Sequence, residues 1–183
     1  MKKEIRAMEN ELDVHPRYQI LVEDAYQRNL NLYIPNTTLG HAVFLSKLLI
    51  EKAKRTIKIY TGELKEIFYN HKRIREDIET ATSRGVEISI IVEDIDRVTN
   101  QEFLNFAKEQ GIKVRALKNV TEVNTHFLLS DTSAFRIEYP HTPNDFGVGE
   151  KFKVRGVANF NNADLGKQIS SAFSYLINNS EII

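Results

Sequence analysis

Arg84-Gly85-Val86-Glu87-Ile88-Ser89-Ile90-Ile91-Val92 decides the architecture. Val86 to Val92 is a nearly continuous β-branched run, which predicts a strand covered on both faces. Gly85 stands where a left-handed cap closes the preceding helix. That helix reads backward through Ala81, Ile78, Ile74, Phe68, Ile67 and Leu64 at helical spacing. Before it, Thr56-Ile57-Lys58-Ile59-Tyr60 alternates as a second strand. After Val92, Thr99-Asn100-Gln101-Glu102 reads as a capping box for a helix through Phe103, Leu104, Phe106 and Ala107. Gly111 closes it, and Ile112 to Leu117 reads as a third strand. Strand–helix–strand–helix–strand with short connections predicts parallel βαβ units.

Outward from that block the rhythm changes. Upstream, Leu39, Ala42, Val43, Leu48, Leu49 and Ala53 mark a helix capped within Asn36 to Thr38. Downstream, Val123 to Ser130, Ala134 to Tyr139 and Lys153 to Asn159 are strand-like runs with no helix between them. Asp131-Thr132-Ser133 turns the first two into a hairpin. Asn162 caps a last helix through Leu165, Ile169, Ala172, Phe173 and Leu176, and residues 140–149 form one long irregular loop. The expectation is α/β: a mixed, mostly parallel sheet of about six strands, with helices on both faces.

Residues 1–35 read as an N-terminal helical arm and residues 36–183 as the α/β domain. In the arm, Pro16 separates two short helices, Leu30 to Ile34 alternates as a short strand, and Pro35-Asn36 ends it. The arm is expected to pack on the domain or against a protein partner.

The 183 residues include 25 Lys+Arg and 25 Asp+Glu, so no net field draws the chain toward nucleic acid or an anionic surface. The absence of cysteine excludes disulfides, thiolate catalysis and cysteine zinc sites. No apolar stretch is long enough for a membrane span, and the polar start lacks a signal peptide's apolar core; a cytoplasmic protein is expected. Metal-ligand spacing among the five histidines, Gly-rich phosphate loops and Gly-x-Ser-x-Gly are all missing. No metal or cofactor is expected.

The candidate chemistry lies in Asn124-Thr125-His126-Phe127-Leu128-Leu129-Ser130-Asp131, where Asn124 and His126 share a strand face. Gly156-Val157-Ala158-Asn159 ends a later strand, and strand ends are where α/β sheets hold ligands. On these two stretches, residues 38–178 resemble the phospholipase D superfamily. Its signature is His-x-Lys-x-x-x-x-Asp followed by Gly-Ser-x-x-Asn or Gly-Ser-x-Asn. Ala53 to Ile59 and Arg84 to Ile88 are similar to the family's corresponding segments.

The resemblance implies a histidine nucleophile that forms a phosphohistidine, a lysine that neutralises phosphate oxygens, no metal, and a homodimer that completes the site. In this chain Asn124 stands where the nucleophile would be, His126 replaces the lysine and Val157 replaces the serine. A carboxamide has neither the basicity nor the titrating proton for the reaction. The residues expected at a phosphate site are therefore Asn124, His126, Asp131, Arg136, Glu138 and Asn159. Arg136 substitutes for the missing lysine because a guanidinium never deprotonates, and Glu138 shares its strand face. The expected function is a catalytically degenerate domain that binds a phosphate-containing ligand, nucleic acid or nucleotide, or serves as a regulatory subunit. The alternatives are a metal-independent phosphodiesterase or nuclease using His126 as its catalytic residue, and a homodimeric scaffold with a vestigial cleft.

Overall fold

A computed structural model describes residues 14–119, 125–140 and 153–183. The elements run α1 (Pro16–Gln27), β1 (Ile34–Thr38), α2 (Leu39–Lys52), β2 (Thr56–Thr61), α3 (Glu66–Tyr69), α4 (Lys72–Ser83) and β3 (Glu87–Val92). They continue with α5 (Gln101–Glu109), β4 (Lys113–Leu117), β5 (His126–Ser130), β6 (Ala134–Glu138), β7 (Lys153–Asn159), α6 (Ala163–Asn178) and β8 (Ser180–Ile182).

All eight strands form one sheet in the order β1-β7-β6-β5-β2-β3-β4-β8. The α/β class stands, but the mostly parallel sheet does not. β2–β3 and β3–β4 are parallel, while the other five pairings are antiparallel. The parallel pairs are those joined by helical crossovers. The β5–β6 hairpin and the direct β6–β7 succession reverse the chain each time, which imposes antiparallel pairing.

Local readings shift in four places. The first strand is Ile34–Thr38, not Leu30 to Ile34. Pro35 lies inside it because β1 is an edge strand, where a missing N–H leaves no ladder gap. The helix expected from Leu64 to Ala81 splits at Asn70-His71, and His71 Nδ1 caps α4 by accepting from Arg73 N at 3.2 Å. Asn100, not Thr99, caps α5, its Oδ1 accepting from Phe103 N at 3.0 Å. The strand β8 was not anticipated, because three residues are too short to show a period.

Two apolar layers sandwich the sheet. On one face Ile57, Ile59, Ile88, Ile90 and Leu128 pack under α1, α2, α4 and α5. Each fully buried side chain of this kind contributes about 1.5–3 kcal/mol. α2 is apolar nearly all round because it lies over β1, β5, β6 and β7 and is covered in turn by α4. The opposite face, with Tyr60, Ile91, Phe127, Leu129, Phe135 and Ile137, packs against Ile169 and Phe173 of α6, flanked by Leu165, Leu176 and Ile177. Val22 and Ala25 of α1 are fully buried in the first layer, and Tyr18 Oη donates to Pro35 O at 2.7 Å, closing the outer edge of β1. Among the described residues, no helix is long and apolar enough to cross a membrane.

Candidate functional site

His126 opens β5 and is in register with Glu138 on β6, so the two share a sheet face. Arg136 shares that face one pleat further along, because it is opposite Leu128. Arg136 is 8% exposed, and its Nη2 is paired with Glu138 Oε2. Its guanidinium carbon is 5.8 Å from the centre of the Phe68 ring. The Nε of Arg136 is buried without a hydrogen-bond partner.

On the other side of His126 is Glu93, the residue that follows β3. It is 5% exposed, and its Oε1 accepts from Tyr60 Oη at 2.9 Å. The His126 Nε2 is 3.3 Å from the same oxygen, near enough for an ion pair when the ring is protonated but not aligned as a hydrogen bond. Tyr60 meets the imidazole edge-to-face at 5.7 Å between ring centres. Gly62 leaves room for that ring, since a Cβ there would come within 2.9 Å of His126 Cε1. A cavity of about 30 Å³ remains between Thr61, Tyr69, His126, Arg136 and Glu138, among others. That volume is enough for about two waters. Burial pushes the Tyr69 hydroxyl up to about 12, so it stays protonated and can donate a hydrogen bond into this region.

The structure thus brings His126, Arg136 and Glu138 together and leaves Asp131 and Asn159 elsewhere. Asp131 is in the turn at the far end of β5, roughly 16 Å from His126 by strand rise. Its carboxylate accepts from the backbone N–H groups of Lys54 (3.0 Å), Arg55 (2.9 Å) and Thr56 (3.0 Å). Its own backbone has φ 53°, a left-handed value that aspartate tolerates in turns. Asp131 therefore pins the α2–β2 junction to the hairpin. Asn159 is in register with Phe135, on the opposite sheet face from Arg136. Its Nδ2 donates to Asn31 Oδ1 at 2.8 Å and its Oδ1 accepts from Asn161 N at 2.8 Å, which ties the segment after α1 to the end of β7. Asn124 and the loop at 141–149 lie outside the described residues.

Three residues at or beside the site escaped sequence reasoning. Glu93 had a usable signal, because it directly follows a parallel strand and ligand sites gather at such ends. Gly62 follows β2 in the same way. Asn36 had none, since Pro35-Asn36 reads as a turn. It is fully buried in β1 in register with Gly156, and both its amide atoms lack partners. Gly156 in turn is in register with Glu138, so Asn36 sits on the same sheet row as His126.

No protein-family model matches the chain. No curated protein matches it either. Solved structures do. Nuc from Salmonella typhimurium, described as a phospholipase D family member, superposes with a TM-score of 0.59 at 17% identity, covering 82% of this chain and 94% of Nuc. The fold is phospholipase D-like. NucT from Helicobacter pylori matches this phospholipase D-like domain with a TM-score of 0.61 at 14% identity, over 83% of the present chain and 99% of NucT. TrmBL2, described as an archaeal chromatin protein with a novel mode of DNA binding, gives 0.61 at 16% identity. That match covers 100% of this chain and 65% of TrmBL2.

Proposed function

We propose that this phospholipase D-like domain is catalytically degenerate and works by binding, as a ligand-responsive or regulatory unit. One observation carries the reading: the two basic side chains at the site already face carboxylates, His126 against Glu93 and Arg136 against Glu138. Phosphoryl transfer needs uncompensated positive charge on the transferring oxygens and a positioned nucleophile. A histidine next to a buried carboxylate and an arginine already engaged do not supply a fixed free cation.

The expected phosphate-bearing ligand, a nucleotide or nucleic acid, would compete with Glu138 for Arg136. The DNA binding ascribed to TrmBL2 supports this ligand class through shared fold alone.

The test is hydrolysis of a chromogenic phosphodiester in EDTA by the native chain and by His126→Ala, followed by titration with an oligonucleotide across salt concentrations. No turnover in either protein is expected. Oligonucleotide affinity should fall steeply with salt and be higher in Glu138→Gln, where Arg136 is released. Turnover in the native chain that disappears in His126→Ala would make the domain a working phosphodiesterase. Absence of binding in both the native chain and Glu138→Gln would remove the phosphate ligand.

A further inference from the structure

Asn36 is polar where the fold asks for an apolar residue. It is fully buried in β1, and neither its Nδ2 nor its Oδ1 has a hydrogen-bond partner. The Nε of Arg136, on a side chain only 8% exposed, is in the same state. A buried polar atom without a partner has given up its bonds to water for nothing, so such atoms are rare and are expected where a ligand completes them.

The sheet brings these atoms to one place. Asn36 is in register with Gly156, and Gly156 with Glu138. Ile34, two residues earlier, is in register with Ala158, and Ala158 with Arg136. Asn36 and Arg136 therefore share a sheet face in adjacent rows, with β7 between their strands. On that face β7 presents a glycine and an alanine, so nothing longer than a methyl separates the two side chains. Their backbones are roughly 10 Å apart, twice the spacing of paired strands. An asparagine and an arginine can close that span onto one small group. The Nη2 of Arg136 is engaged by Glu138, which leaves Nε as the open edge of the guanidinium.

We propose that Asn36 and Arg136 hold a ribose phosphate, its phosphate between Arg136 Nε and Asn36 Nδ2 and its 2′-hydroxyl on Asn36 Oδ1. The inference rests on the phosphate-binding reading above and narrows it. An ionised phosphate ester accepts hydrogen bonds and does not donate them, so it satisfies Nε and Nδ2 but sets its oxygens against Oδ1. The carboxamide oxygen calls for an O–H directly beside the phosphate. A ribonucleotide 3′-phosphate has one in its 2′-hydroxyl, and a deoxyribonucleotide has none. A nucleobase edge also donates and accepts, but it brings no anion to Arg136.

Calorimetric titration of the native chain with adenosine 3′-phosphate and its 2′-deoxy counterpart tests this. The ribose form should bind about tenfold more tightly, the effect of one buried acceptor left unpaired. In Asn36→Leu the two esters should bind alike, and the ligand-free variant should melt at a higher temperature than the native chain. An oligoribonucleotide separates the sources, and either supports the proposal. Affinity well above that of the 3′-phosphate, falling steeply with salt, makes the ligand an RNA strand; equal affinity makes it the free nucleotide. Equal affinity of the native chain for the two esters overturns the proposal and leaves the phosphate reading intact. A ribose preference that persists in Asn36→Leu also overturns it, by placing the hydroxyl elsewhere. A lower melting temperature of ligand-free Asn36→Leu does the same, because an ordered water only would then satisfy the amide. Should Asn36→Leu fail to fold, Asn36→Ala gives the same comparison of the esters. Binding of neither ester, by the native chain or by Glu138→Gln, removes the phosphate reading and this inference with it.

Discussion

Individual side chains show how position outweighs residue type in this protein. Asp131 and Glu93 are both carboxylates at strand ends, yet one accepts three backbone N–H groups while the other faces a tyrosine hydroxyl and an imidazole. A third carboxylate, Asp77 on α4, has a buried Oδ2 without a hydrogen-bond partner. Burial first, and Glu51 and Glu76 nearby, push it up to about 6, while Lys47 and Arg73 pull the other way. The folded state therefore holds this proton more tightly than the unfolded chain does. That contribution to stability is complete below about pH 4 and is lost as pH rises through about 6. Asp77→Asn should remove this slope and stabilise the domain at pH 7 by about 1 kcal/mol, because the half-exposed carboxylate is partly screened by solvent. Urea titrations of both proteins at pH 4 and pH 7 measure it. Equal stabilisation at the two pH values would show that burial of the charge is not the cause.

Among the elements, close backbone approach fixes what sequence period leaves open. α6 reads clearly as a helix, but its height above the sheet is set by Gly166, where a Cβ would lie 2.1 Å from Thr132 O. The same residue's N–H is bonded to Asn162 O at 3.0 Å, so the first turn of α6 cannot slide away without loosening its cap. Gly166→Ala should lift the N-terminal end of α6 off the β5–β6 turn and destabilise the domain by roughly 1–3 kcal/mol, the usual range for overpacking. The alanine gains helix propensity of about 1 kcal/mol. A net stabilisation in thermal melts would mean that the turn moves aside instead. Gly156 plays a similar part between β7 and β6, where a Cβ would meet Ile137 O at 2.1 Å. Neither glycine has a positive φ, so sequence patterns for turns and caps gave no reason to single them out.

At the scale of the whole molecule, the eight-stranded sheet has two unlike edges. β1 is covered by Tyr18 and interrupted by Pro35, whereas β8 is a three-residue strand laid on β4. Arg115 holds β8 through Ser180, its Nε donating to Oγ at 2.8 Å and its Nη2 to the carbonyl at 2.8 Å, and Ile183 N donates to Val114 O at 3.1 Å. Deleting residues 180–183 should expose β4 as a new edge, leave Arg115 unpaired and lower the melting temperature by roughly 3–8 °C, with greater aggregation. An unchanged melt would show that β8 adds nothing to the sheet. The sequence alone determined the β–α–β–α–β succession, the hairpin, the absence of thiol chemistry and the phospholipase D-like fold class. The succession and the hairpin follow from periodicities of 2 and 3.6 and from turn residues, which act over a few positions; the lack of cysteine removes thiol chemistry, and the fold class came from the resemblance of residues 124–131 and 156–159 to a known family's signature. It did not determine the prevailing strand direction or the membership of the site. His126 meets Glu93 from a different strand, and Asp131 reaches Lys54 across 77 positions of chain. Such pairings arise only when long-range register turns each side chain to one face of the sheet. That register brought Glu93 to His126 and turned Asp131 and Asn159 to structural duties.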